Sequence, residues 1–147
     1  MTDNGGSGRI EIVKALMRAW SAHDVEGVVA LVSDDVEWHY AVGQPPVHGK
    51  EHMAKFLSRL SKHQLQLAWR LVHHAENGDV LLVEGVDDYV NPSGNRVQVP
   101  YMGAYEFDGN TVTHWRDYVD MTSMQNAEKG DAVPDYLVPL VEAGETV

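Results

Sequence analysis

The chain has 147 residues, 44 % apolar and 22 % charged, enough for one domain with a sizeable core. Its 22 acidic residues against 11 basic ones leave a net charge of -11, which argues against nucleic acid or an anionic membrane as partner and favours a neutral or cationic small molecule. With no cysteine, disulfides, thiolate chemistry and Cys-based zinc sites are excluded.

No apolar run approaches the roughly 18 residues of a membrane span. The opening MTDNGGSGR has neither a basic stretch nor an apolar one, so it does not read as a signal peptide, and the expected location is cytoplasmic. Residues 1–8 are polar and Gly-rich and are expected to be disordered. From Arg9 the pattern is helical, with Ile12, Leu16, Ala19 and Trp20 at helical spacing and Val13 and Met17 beside them, up to about residue 22. Asp24 reads as the N-cap of a second helix over 25–32. A short strand over 36–40 places Val36, Trp38 and Tyr40 on one face, and a Gly- and Pro-rich loop over 41–49 follows. A third helix over 50–62 carries the stripe Met53, Phe56, Leu57 and Leu60.

The period then changes to two. Strands are expected over 65–71, 80–90, 96–107 and 111–121, joined by turns at 77–79, 91–95 and 108–110, which is the signature of an antiparallel meander. A short helix over 122–129 and a weaker one near 135–141 complete the chain. Helices on one face of an antiparallel sheet make an α+β architecture, and a sheet curled around them encloses an apolar pocket. The expected division is a single domain over 9–129 with a tail over 130–147.

Two inward faces carry an acid. On the last strand Thr113, Trp115, Asp117, Val119 and Met121 share a face. On the strand over 80–90 Leu81, Val83, Gly85, Asp87 and Tyr89 do so. A carboxylate in an apolar row is costly unless it is paired, hydrogen-bonded or protonated. Two in one cavity repel, so one holds a proton and the other serves as base, an arrangement suited to opening an epoxide with water. Trp38, Trp115, Tyr101, Val99, Val83, Leu67, Trp69 and Val119 are the expected wall, and Tyr40, or else Tyr101, is a candidate to hold water. The eight histidines form no known ligand pattern; His48 with His52 and the pair His73-His74 are the nearest approaches, so no metal is expected. No Gly-rich nucleotide motif and no serine-hydrolase elbow occurs, and no cofactor is expected.

Trp115-Arg116-Asp117-Tyr118 with Asp120, Val86-Asp87 after Glu84, and the Pro45-Pro46 loop ending at Gly49 resemble the limonene epoxide hydrolase family, within the SnoaL-like group of the nuclear-transport-factor-two-like superfamily. The resemblance spans about residues 9–125 and implies a cone-shaped fold with a deep pocket. It implies Asp117 as the base for the attacking water and Asp87 as the acid. Where the family has an Arg bridging the two acids this chain has Gly85, expected to enlarge the cavity; at the family's water-holding Tyr and Asn stand Trp38 and Tyr40.

The reading is thus a cofactor-independent enzyme that hydrolyses a small, terpenoid-like epoxide. Its alternatives are a cyclase or isomerase of a polyketide- or terpenoid-like carbonyl compound and a non-catalytic module for hydrophobic ligands. By family analogy a homodimer is expected, with His114, Arg116 and Tyr118 on the outer sheet face.

Overall fold

A computed structural model describes residues 8–147. The disorder expected for residues 1–8 falls on positions outside the described residues, except Gly8, whose carbonyl accepts the Ile12 N–H at 3.1 Å where the first helix begins.

The first helix, α1 (Arg9–Ser21), buries Leu16 and Trp20 of the expected stripe together with Val13 and Met17 beside it, while Ile12 and Ala19 are half-buried. In α2 (Val25–Val29) the Asp24 carboxylate accepts the Gly27 N–H at 2.9 Å, satisfying a donor left open by the first turn. This helix is shorter than the pattern suggests. Val32 opens β1 (Val32–His39) and pairs with Val112, because a valine buried against the sheet gains more there than in another helical turn. A two-residue strand, β2 (Val47–His48), pairs with β1, and α3 (Lys50–Leu60) follows with Met53 and Leu57 buried.

The expected strand over 65–71 is not continuous. Leu65 makes one bridge to Val90, Gln66 takes a left-handed φ of 49°, and the regular strand β3 (Arg70–Asn77) starts only afterwards. Then come β4 (Val80–Val90), β5 (Arg96–Asp108) and β6 (Thr111–Val119), each antiparallel to its predecessor. Asp120 ends β6 and caps α4 (Met121–Glu128) by accepting the Thr122 N–H at 3.0 Å. The chain closes with α5 (Val138–Val141) and β7 (Glu145–Thr146), which pairs with β3.

Among the described residues the sheet has seven strands in the order β2-β1-β6-β5-β4-β3-β7 and is curved and unclosed. The meander β4 to β6 is the predicted one, preceded by β3 over 70–77 in place of the expected strand over 65–71, whereas β1 joins β6 in parallel. Its concave face and the helices enclose the main core, where Leu16, Met17 and Met53 meet Val83, Tyr105 and Trp115. A smaller cluster of Tyr89, Val97, Val99 and Ala127 lies under α4. No helix among the described residues is long and apolar enough to cross a membrane.

One register irregularity decides what β6 presents. Between Glu106 and Phe107 the β5–β6 pairing shifts, so that Val112 is buried and Thr113 is not. The expectation that Thr113 shares the inward face is therefore corrected: the bulge inserts an extra residue and changes the parity, and Trp115 and Asp117 keep the inward side beyond it.

Candidate active site

The inward face of β4, β5 and β6 is a grid of aligned rows. One row is Val83, Gly103 and Asp117; the next is Gly85, Tyr101 and Val119; Asp87 pairs with Val99 in the third. Glycine at 103 is what admits the Asp117 carboxyl, since a Cβ there would lie 3.0 Å from its Oδ1. The same Oδ1 accepts the Trp115 indole N–H at 2.9 Å. Asp117 is 9 % exposed and lines the cavity, and its Oδ2 has no hydrogen-bond partner among the described residues.

Asp87 lines the same cavity. It is half-buried. No hydrogen bond reaches its carboxyl among the described residues. Burial pushes Asp87 up to about 7. Asp117 is pushed well above the usual carboxylate range, first by burial and then by the Asp87 charge, with the Trp115 N–H pulling weakly the other way. The two acids are therefore a coupled pair, in which Asp117 keeps its proton more firmly while Asp87 passes from protonated to ionised around neutrality.

The cavity has a volume of about 200 Å³, below the roughly 300 Å³ at which drug-sized sites begin, so it suits a small ligand. Trp38, Tyr40, Leu67, Trp69 and Trp115 line it as expected. Trp38 stacks on Trp115 with ring centroids 5.2 Å apart, and Tyr40 packs on Phe56 at 4.6 Å. The Trp38 N–H is buried without a partner.

Four expected wall residues lie elsewhere. Val83 is fully buried in the main core and Val99 in the cluster under α4, while Val119 packs between the two. Tyr101 turns into the space beside Gly85. A Cβ at Gly85 would lie 2.6 Å from the Tyr101 Cε1 and 2.6 Å from the Arg70 carbonyl oxygen. The expectation that Gly85 enlarges the cavity is thus overturned, because the Tyr101 ring occupies the room that a longer side chain would need. The Tyr101 and Tyr105 hydroxyls are buried without a well-formed hydrogen bond, and burial raises both well above the ordinary phenol value.

The sequence reading did not assign the other wall to the site. Phe56, Leu57 and Leu60 come from α3, Met121, Met124 and Glu128 from α4, and His63 and Gln64 from the loop between α3 and β3. The apolar stripe of α3 was legible, but not that it faces the acids. Glu128 ties α4 down: it accepts the Tyr89 hydroxyl, the Asn91 amide at 2.7 Å and the His63 ring at 2.8 Å. These bonds hold Glu128 below its ordinary pKa although burial works to raise it.

Other acids and histidines are used structurally. Asp88, beside Asp87 but directed to the opposite face, is 2 % exposed and binds Arg70 at 2.7 Å and Arg96 at 2.8 Å. Burial works to raise it, and the Arg96 and Arg70 bonds prevail and hold it low. The His52 ring bonds to the His48 carbonyl oxygen, and His73 pairs with Glu84.

Comparison with known proteins agrees with this architecture. An LEH-like epoxide hydrolase of M. tuberculosis is 27 % identical, with a TM-score of 0.73 over 92 % of this chain and 96 % of that one. SalBIII, an epoxide hydrolase/cyclase-like enzyme of pyran ring formation in the polyether salinomycin, is 17 % identical, with a TM-score of 0.73 over 81 % of this chain and 95 % of that one. A protein of Shewanella denitrificans assigned to the SnoaL-like polyketide cyclases is 15 % identical, with a TM-score of 0.75 over 84 % and 98 % of the two chains. The last two share the fold alone. No curated protein matches the sequence. The sequence model of the SnoaL-like domain matches residues 13–115, and the chain belongs to that family.

Proposed function

We propose that this protein is a cofactor-independent hydrolase that opens a small hydrophobic epoxide with water. The observation that carries the reading is a pair of carboxyls, Asp87 and Asp117, facing one aromatic cavity with a proton to share. Asp87 takes a proton from a water, the water oxygen bonds to an epoxide carbon, and that carbon's bond to the epoxide oxygen breaks. The released oxygen takes the proton of Asp117, giving a vicinal diol, and proton exchange between the acids resets the pair.

This division of labour is the reverse of the one the resemblance implies, and two features support it. Asp117 is the deeper acid, so its resting form is neutral: Oδ1 accepts the Trp115 N–H and a proton on Oδ2 is free to be donated into the cavity. Asp87, near 7, is suited to act as base close to neutral pH. The test is turnover of a panel of small cyclic epoxides in oxygen-18 water. The expected product is a singly labelled diol. Asp87→Asn and Asp117→Asn are each expected to lose about 10²–10⁴-fold in rate, with the greater loss at Asp87 because an amide still donates but cannot accept a proton. Unchanged turnover in either variant would end the assignment.

A second reading is an intramolecular closure in which a hydroxyl of the substrate replaces water. Trp38 and Tyr40, packed against Trp115 and Phe56, favour it, since they stand where the resemblance has water-holding groups. The same experiment separates the two, because cyclisation or isomerisation incorporates no label. Binding without turnover would leave the chain as a ligand-binding module.

A further inference from the structure

We propose that the cavity selectively binds small hydrophobic amines in their protonated form, with the ammonium against Asp87 and the apolar body against the aromatic wall. The inference takes the same cavity as the hydrolase reading but needs no proton transfer. An amine lodged there would occupy the base and block turnover.

The argument rests on where charges are matched and where they are not. Asp87, Asp117 and Glu128 contribute to the cavity wall, Asp88 borders it with its carboxylate turned away to Arg70 and Arg96, and among the described residues no Lys or Arg lines it. Asp88 is matched by Arg70 and Arg96, and Glu128 by Tyr89, Asn91 and His63. Among the described residues no cation pairs with Asp87 or Asp117; the groups acting on them are each other and the phenols of Tyr89, Tyr101 and Tyr105, which supply no positive charge. The histidine of the wall, His63, is bonded to Glu128.

Asp117 is nine-tenths buried, and its Oδ2 has no partner among the described residues although it lies on a void. Asp87 beside it accepts no hydrogen bond among the described residues, so its ionised form lacks both counter-charge and donors. A ligand ammonium supplies both, bringing three N–H donors and a full charge. Trp38, Tyr40, Phe56, Trp69 and Trp115 receive the apolar body and attract a cation rather than an anion. The net charge of -11 draws cations towards the protein from solution.

All four tryptophans line the cavity, so their fluorescence reports occupancy. Three ligands of one shape, cyclohexylmethylamine, cyclohexylmethanol and cyclohexanecarboxylate, are titrated into the full chain near pH 8. The amine is expected to bind about tenfold more tightly than the alcohol, and the carboxylate most weakly. Asp87→Asn, with its fold checked by circular dichroism, should bring amine and alcohol within about threefold. A readout without any variant is the pH series. Amine affinity should rise severalfold from pH 6 to pH 8 as Asp87 ionises, while alcohol affinity stays flat. Alcohol binding as tight as amine binding, a preference that survives Asp87→Asn, a flat amine series, or no amine binding would each overturn the proposal. Epoxide turnover in the same preparations keeps the two readings apart: diol formation without amine preference removes only this inference, and amine preference without diol removes only the hydrolase.

Discussion

Asp87 shows how a single side chain can trade stability for chemistry. Its folded pKa, near 7, lies above that of an unfolded aspartate, so between about pH 4 and pH 7 the folded state binds a proton that the unfolded chain has released. The stabilisation is present in full below the unfolded value and is lost as pH rises through the folded one. Asp87→Asn removes that loss. It is expected to raise stability by roughly 2 kcal/mol near pH 8 and by much less near pH 5, as urea melts at the two pH values would show. A gain that is the same at both would mean that Asp87 is not the group titrating. Gly85 makes a different point. Placing the missing arginine there by Gly85→Arg drives a Cβ into the Arg70 carbonyl and the Tyr101 ring. The variant is expected to lose about 1–3 kcal/mol of stability by overpacking and to gain no turnover. A well-folded, more active Gly85→Arg protein would show that the ring yields easily.

Single elements decide which acids serve the site and which serve the fold. Neighbouring positions on β4 point to opposite faces, so Asp87 enters the cavity while Asp88 enters a cluster with Arg70, Arg96 and Gln98. Arg70 also donates to the Val141 and Ala143 carbonyl oxygens, so this cluster fastens the last segment of the chain to the edge of the sheet. Asp88→Ala leaves the largely buried Arg70 guanidinium without its carboxylate and is expected to cost about 3–5 kcal/mol near neutral pH. Asp88 is held below its ordinary pKa, so its contribution is present above the unfolded value and disappears as pH falls through the folded one. The difference between wild type and variant should therefore shrink below about pH 4, and amide exchange in α5 and β7 should accelerate in the variant. Unchanged exchange there would disprove the fastening role.

At the scale of the whole molecule, the outer face of the sheet carries Leu82 at 41 %, Met102 at 51 % and Tyr118 at 51 % exposure on three adjacent strands. Met102 pairs directly with Tyr118, and Arg116 beside them is bound to Glu106. We propose that this face meets a second copy of the chain in a two-fold dimer. Light scattering on an exclusion column should give twice the chain mass for wild type and the chain mass for Met102→Glu with Tyr118→Glu. A monomeric wild type at micromolar concentration would refute it. The sites face opposite sides of the sheet, so the double variant is expected to keep its cavity.

The sequence by itself determined most of what depends on neighbours along the chain, the early end of α2 and the break at Gln66 being the exceptions. Apolar spacing marked α1 and α3, period two marked the strands, Asp24 and the turn residues marked ends, and alternation placed Asp87 and Asp117 on inward faces. What depends on contacts between distant segments was decided only by the tertiary structure. The bulge opposite Phe107 that turns Thr113 outward, the parallel seat of β1 on β6, the Tyr101 ring beside Gly85, and the α3 and α4 side chains that complete the cavity belong to this group. Periodicity reports which way a side chain points from its own backbone. Whether it meets solvent, a partner or a void is set by the segment opposite, and no local pattern records that.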